Sequence, residues 1–256
     1  MGALSPAPTR VKWGLMSILA ISVLGEPAWA IDNPALPAPA LKIGDSWVFD
    51  QTLEKGQAGF TEQRLDLTVE RVNDSTMVVG IKRDGAPTAP EDHIVGADWS
   101  QRHLVNGADT ATTRPFTFPM KVGDGWTVDF VDSTLRGAQT SDHVHRTYKV
   151  VGWENVTVPA GTYHALKIEA DGVDTATLQV PALAVGGAVA GAGGATSIVH
   201  TQRGGPSSLT RRTYAEFYYV PEVKNYVKSI EEQYTSDNIR VSRETRTMIS
   251  YSKPSG

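Results

Sequence analysis

The stretch that most limits the fold is Arg212–Glu232, RTYAEFYYVPEVKNYVKSIEE. Aromatic and β-branched residues favour a pleated, half-buried backbone, and Pro221 interrupts the run because it cannot donate to a strand ladder. The segment therefore reads as two strands joined by a short turn at Pro221–Glu222. It holds Tyr214, Phe217, Tyr218, Tyr219 and Tyr226, the densest aromatic cluster in the chain. Side chains alternate across a strand, so Phe217 and Tyr219 fall on one face and Tyr214 and Tyr218 on the other. One set belongs to the core and the other is free to form a binding surface. The five aromatics are the candidate ligand-binding residues.

Period-2 patterning recurs along the chain. In Arg64–Arg71, Leu65, Leu67 and Val69 share a face, opposite Arg64, Asp66, Thr68 and Glu70. Asn73-Asp74-Ser75 turns the chain, and Thr76–Arg83 returns with Met77, Val79 and Ile81 aligned. This predicts a half-buried antiparallel hairpin. His93–Asn106 suits two short strands. His143–Trp153 alternates, and Val156–Ile168 reads as a hairpin closed by Pro159 and Gly161. Ile239–Tyr251 closes the series, with Ile239 and Val241 opposite Arg240, Ser242, Glu244 and Arg246. The prediction is an all-β, mainly antiparallel domain: a strongly curled sheet forming a partly open barrel, with room for one short helix.

The first thirty residues have a different character. Arg10 and Lys12 precede the uncharged run Trp13–Leu24, and Ala28-Trp29-Ala30 supplies a small-residue cleavage site. That order of parts is a secretory leader. Twelve residues are too few to cross a bilayer, which takes about 20. No Cys stands at the cleavage point, so no lipid attachment site is expected there. The expected organisation is a leader at 1–30, a Pro-rich linker at 31–40, and one β-rich domain at 41–256. The expected location is periplasmic or secreted, with no transmembrane span once the leader is cleaved.

The whole chain carries 24 basic and 28 acidic residues. Without Arg10, Lys12 and Glu26 the balance is 22 to 27, a net charge of −5. Mild acidity gives no electrostatic basis for nucleic-acid binding. The absence of Cys removes disulfides, thiol nucleophiles and Cys-metal sites.

Two further features stand out. Leu41–Asp50 (LKIGDSWVFD) returns as Met120–Asp129 (MKVGDGWTVD), matching at Lys, Gly, Asp, Trp and the final Asp. The similarity fades outside these residues. It therefore reads as a strand-opening device used twice, rather than as a duplicated half-domain. Pro181–Leu209 contains the run AVGGAVAGAGGATSIV. It reads as a mobile insertion between strands; the competing reading is a small-residue helix or membrane-touching loop built on Gly187 and Gly191.

Together, the segments Phe118–Trp126, Val158–Ile168 and Tyr218–Lys228 resemble a family of bacterial exported proteins of unassigned activity. In that family "fPLkvGdsW" is followed by "VPAGtF.a.kI" and then "wYvPevg..Vk". The resemblance runs over Lys42–Lys253, with the Gly-rich insertion as a departure. It implies a curled antiparallel sheet similar to the half-barrels of periplasmic lipoprotein carriers, and it brings no catalytic residues.

The chemistry candidates are few. On a strand, His143 and His145 project from one face, about 6.5–7 Å apart, and imidazoles bind zinc or copper. A metal-dependent hydrolase using that pair needs a third ligand, which spacing does not supply. No G-x-S-x-G elbow and no phosphate loop is present. Glu231-Glu232 reads as a solvated strand edge. Trp47 and Trp126 read as core. The leading expectation is a non-enzymatic protein without a cofactor. Its concave face would hold an apolar small molecule, a lipid or an envelope protein. The alternatives are the hydrolase and a structural envelope-assembly factor.

Overall fold

The structure, a computed structural model, describes residues 2, 34–56, 59–135, 137–180, 183–191, 194–202 and 204–254. The leader at 1–30 lies outside the described residues, apart from Gly2. Fourteen strands follow one another: β1 (Ser46–Glu54), β2 (Phe60–Val72), β3 (Thr76–Arg83), β4 (Glu91–Gly96), β5 (Gln101–Val105), β6 (Ala108–Thr113) and β7 (Gly125–Asp132) make the first half. β8 (Gln139–Val158), β9 (Gly161–Val180), β10 (Leu183–Gly191), β11 (Gly194–Gln202), β12 (Gly205–Val220), β13 (Asn225–Thr235) and β14 (Arg240–Ser252) make the second. Among the described residues helix is confined to short 3₁₀ turns such as Pro221–Val223.

Twelve strands form one antiparallel sheet in the order β6-β5-β4-β3-β2-β1-β14-β13-β12-β9-β8-β7. β1 closes the order by pairing with both β2 and β14, so the first and last strands meet in the middle of the sheet. The sheet rolls until its two edge strands, β6 and β7, face each other across an unsealed seam. Asn106, in the β5–β6 turn, staples that seam. Its Nδ2 donates to the Val131 carbonyl at 2.6 Å, and its Oδ1 accepts from the Ser133 amide at 2.9 Å and the Ser133 hydroxyl at 2.8 Å. The curled, partly open barrel expected from the alternation is therefore what the chain forms, with a single seam.

One end of the barrel is filled by the chain itself. Trp47, Phe49, Leu65, Leu67, Val69, Met77, Val79, Val150, Ile168 and Met248 are buried there. The β6–β7 connection folds inward to add Phe116 and Met120. Phe116 packs on Tyr219 and Phe217 at ring distances of 4.8 and 6.3 Å. Trp47 is fully buried, as expected of core. Trp126 is half-buried, stacked on Tyr148 at 5.4 Å, with its Nε1–H donating to the Arg114 carbonyl.

The two Gly-Asp-x-Trp copies build one local device. In each, a glycine at positive φ (Gly44 at 89°, Gly123 at 94°) makes the turn, where a side chain would be strained. The following carboxylate accepts from the amide three residues back: Lys42 to Asp45 at 2.7 Å, Lys121 to Asp124 at 2.9 Å. The same aspartates lock a neighbouring strand through their backbone carbonyls, to Val69 and Val150.

The Gly-rich segment differs from expectation. β10 and β11 are an antiparallel hairpin, neither helix nor irregular loop. They keep the register of the β9–β12 ladder, with Val180 opposite Gly205, Leu183 opposite Gln202, and Gly191 opposite Gly194. Glycine and alanine weaken strand preference, so the sequence hides a ribbon that is imposed by the flanking ladder. Among the described residues no helix is long and apolar enough to cross a membrane, which leaves strands out of account.

Candidate functional site

The five aromatics divide as the alternation requires. Phe217, Tyr219 and Tyr226 are buried on the barrel interior, in contact with Phe116 and Phe49. Tyr214 and Tyr218 lie on the opposite face of β12. Both hydroxyls donate to Glu216 at 2.7 Å, and the Lys167 Nζ sits 3.0 Å from Glu216 and 2.7 Å from Glu169. Burial disfavours the Glu216 carboxylate, but the bonds from Tyr218, Tyr214 and Lys167 outweigh it and hold its pKa below the ordinary value. This outer cluster is internally satisfied. Three of the five, Tyr214, Phe217 and Tyr226, line interior spaces, and Tyr218 and Tyr219 do not.

His143 and His145 also find a partner that spacing alone could not reveal. Pairing of β7 with β8 sets Asp129 opposite His145. Asp129 Oδ2 lies 2.6 Å from His145 Nδ1, and Oδ1 lies 3.3 Å from His143 Nε2. The bond to His145, chiefly, lowers the Asp129 pKa. All three side chains are about half exposed. Among the described residues no three His, Cys, Asp or Glu side chains are arranged to hold a metal ion.

The barrel interior holds what the sequence did not reveal. Toward the end bounded by the β1–β2 and β13–β14 turns, the inward face becomes charged. A cavity of about 290 Å³ is lined there by Arg146, Tyr148, Ala170, Ala215, Phe217, Glu231 and Glu244, among others. A second space of about 90 Å³, lined by Leu67, Val79, Ile81, Val95, Trp99 and Arg246, shares Thr113, Phe217 and Glu231 as walls. The concave face is thus apolar toward one end and charged toward the other.

Strand pairing explains how these charges come inside. Ala215 stands opposite Glu231, and Glu231 opposite Glu244. Arg246 and Met248 follow Glu244 at strand period, and Met248 is fully buried. The charged face of β14 is therefore the inner one, while Ile239 and Val241 are exposed. Glu231 is likewise no solvated edge: β13 lies between β12 and β14. Arg146 pairs with Asp174 at 2.8 Å, and Arg246 with Glu244. Arg246 also donates to the Tyr226 hydroxyl at 3.2 Å. The Nε atoms of both arginines lack a hydrogen-bond partner among the described residues.

Glu231 forms no hydrogen bond or ion pair with another described side chain. It lines both interior spaces. Burial raises its pKa; Arg246 and Arg146 oppose the shift, and Glu244 adds to it.

No family model and no curated protein matches the chain. Solved structures similar to it include an exported protein with a YmcC-like fold from Bacteroides fragilis, at 14% identity over 86% of this chain and 100% of that one, with a TM-score of 0.38. A lipoprotein from Parabacteroides distasonis gives 15% identity, 85% and 97% coverage, and a TM-score of 0.41. The hypothetical lipoprotein YmcC from Escherichia coli gives 12%, 82%, 85% and 0.31. At such scores the likeness carries no argument, and the barrel rests on this chain's own ladders.

Proposed function

We propose that this is an exported, non-enzymatic binding protein that holds a slender ligand with an apolar body inside its barrel. The observation that carries the reading is the interior space that the chain's own atoms leave unfilled. It comprises two adjoining spaces, one with apolar walls at Leu67, Val95 and Trp99 and one with polar walls at Arg146 and Glu244, which share Thr113, Phe217 and Glu231 as lining. Ligand pockets are concave, mostly apolar, and carry a few placed polar groups. The leader pattern of residues 1–30 supports a periplasmic or secreted location. The aromatics that serve this reading are Tyr214, Phe217 and Tyr226, which line the two spaces; Tyr219 is buried in the core beside Phe116.

Native mass spectrometry of protein purified from its own cells tests the proposal. A retained organic mass, lost in the cavity-filling variant Ala215→Trp, is expected. A metal adduct lost in His143→Ala supports the hydrolase instead. A clean apo mass in both proteins favours an envelope-assembly role without a small ligand.

A further inference from the structure

The charges around the larger cavity say what kind of ligand it accepts, granting the interior-binding reading. An enclosed charge is costly unless it is matched, so such a site favours a ligand whose own charge completes the match. Arg146 is matched by Asp174 and Arg246 by Glu244. Glu232 is matched by Arg240 at 3.0 Å and Arg243 at 3.7 Å. Beyond the lining, Arg211 attracts Asp142. Lys55 lines the cavity but is exposed. Of the cavity's three glutamates, Glu231 alone has no ion pair and no hydrogen bond to another described side chain.

Three kinds of ligand can be set against that surplus carboxyl group. A carboxylate would add a second unmatched acid beside arginines that are already engaged. A neutral molecule would leave Glu231 without a counter-charge. An ammonium supplies the missing charge, and its three donors suit the two oxygens of Glu231. A bare metal ion lacks its ligand set, since among the described residues no three His, Cys, Asp or Glu side chains are arranged to hold one. The remaining walls are compact and largely apolar at Leu53, Ala170, Ala215 and Phe217. A volume of about 290 Å³ equals roughly ten waters at about 30 Å³ each, so the ligand has about ten non-hydrogen atoms.

We infer that the larger cavity takes a small monocationic amine, with its ammonium against Glu231 and its apolar body against Leu53, Ala170, Ala215 and Phe217. Glu231 is then the residue that selects for positive charge, and the paired arginines leave that selection to it.

The test uses three probes of similar size and the same aromatic body at pH 7: phenethylamine, phenethyl alcohol and phenylacetate. Binding is measured by titration calorimetry on the chain without its leader. Phenethylamine is expected to bind about tenfold or more tightly than either other probe. Glu231→Gln should bring the amine within about threefold of the alcohol, while the alcohol itself changes by less than about threefold. Ser242→Ala, a neutral change in the same lining, should keep the preference for the amine. Thermal transitions of both variants report folding separately. Equal or tighter binding of the alcohol or the carboxylate, or an unchanged amine preference in Glu231→Gln, overturns the inference while sparing the interior-binding reading. Binding of none of the three also overturns it; the interior-binding reading falls with it only if native mass spectrometry shows a clean apo protein.

Discussion

Asp45 and Asp124 occupy the same place in two copies of one turn, yet their replacement should cost very different amounts. Asp45 is fully buried. Its Oδ2 accepts from the Lys42 amide at 2.7 Å and from Lys224 Nζ at 2.7 Å, and its Oδ1 accepts from the Tyr251 hydroxyl at 3.0 Å. Lys224 is itself largely enclosed, with 17% of its side chain exposed. The same residue's carbonyl accepts from Trp99 Nε1 at 2.9 Å, and the Val223 carbonyl accepts from Trp47 Nε1 at 2.7 Å. The Gly-Asp-Ser-Trp turn and the Val-Pro-Glu-Val-Lys turn therefore clamp each other. Asp124 is half-buried, and among the described residues the bond from Lys121 is its one side-chain hydrogen bond.

Removing one partner of a buried ion pair strands the other and costs about 3–5 kcal/mol. Losing one ordinary hydrogen bond costs about 0.5–1.5 kcal/mol. For a domain of this size 1 kcal/mol moves Tm by about 2–4 °C. Asp45→Ala should thus lower Tm by roughly 6–20 °C, and Asp124→Ala by about 1–6 °C. In calorimetry, the double variant Asp45→Ala/Lys224→Met should lose clearly less than the two single variants together, because neither charge is then stranded. Equal losses at Asp45 and Asp124, or additive losses at Asp45 and Lys224, would refute the clamp.

Three further outcomes follow from the same structure. Glu231 has a folded-state pKa above its unfolded value, so the folded protein keeps a proton that the unfolded chain gives up. That contribution is fully present below the unfolded pKa of about 4.5 and is lost as pH rises through the folded pKa. Glu231→Gln should therefore match wild type near pH 4 and be the more stable protein at pH 8, as read from Tm against pH. Joining Val180 to Gly205 through Asn-Gly removes β10 and β11, which pair only with each other; Tm should move by less than about 2 °C, since 1 kcal/mol corresponds to about that much. Asn106→Ala removes the seam staple and should speed hydrogen exchange at the facing β6 and β7 edges, with β12 and β13 unchanged.

Much of the fold was legible because a half-buried strand writes its burial into the sequence at period two. Leu65, Leu67 and Val69 point inward as they alternate, and Met77 and Val79 answer them across the hairpin. The turn at Pro159–Ala160 and the pivot at Pro221 fall where proline chemistry puts them. The division of Phe217 and Tyr219 from Tyr214 and Tyr218 followed from the same rule. What stayed hidden is long-range. No local pattern says that Glu231 and Arg246 look inward, because charged residues at period two read as a solvated face. The signal lay in Met248: counting back from a buried methionine places Arg246 and Glu244 on its side. Asp129 joined the two histidines only through the β7–β8 register, which spacing within one strand cannot report. The Gly-rich ribbon was masked by residues with weak strand preference and is held in register by its neighbours.

The most direct measurement is a high-resolution crystal structure of the protein as isolated from its own cells. The account predicts organic density in the interior space bordered by Phe217, with a polar end against Glu231. Discrete water peaks alone, or side chains collapsed across the space, would contradict it.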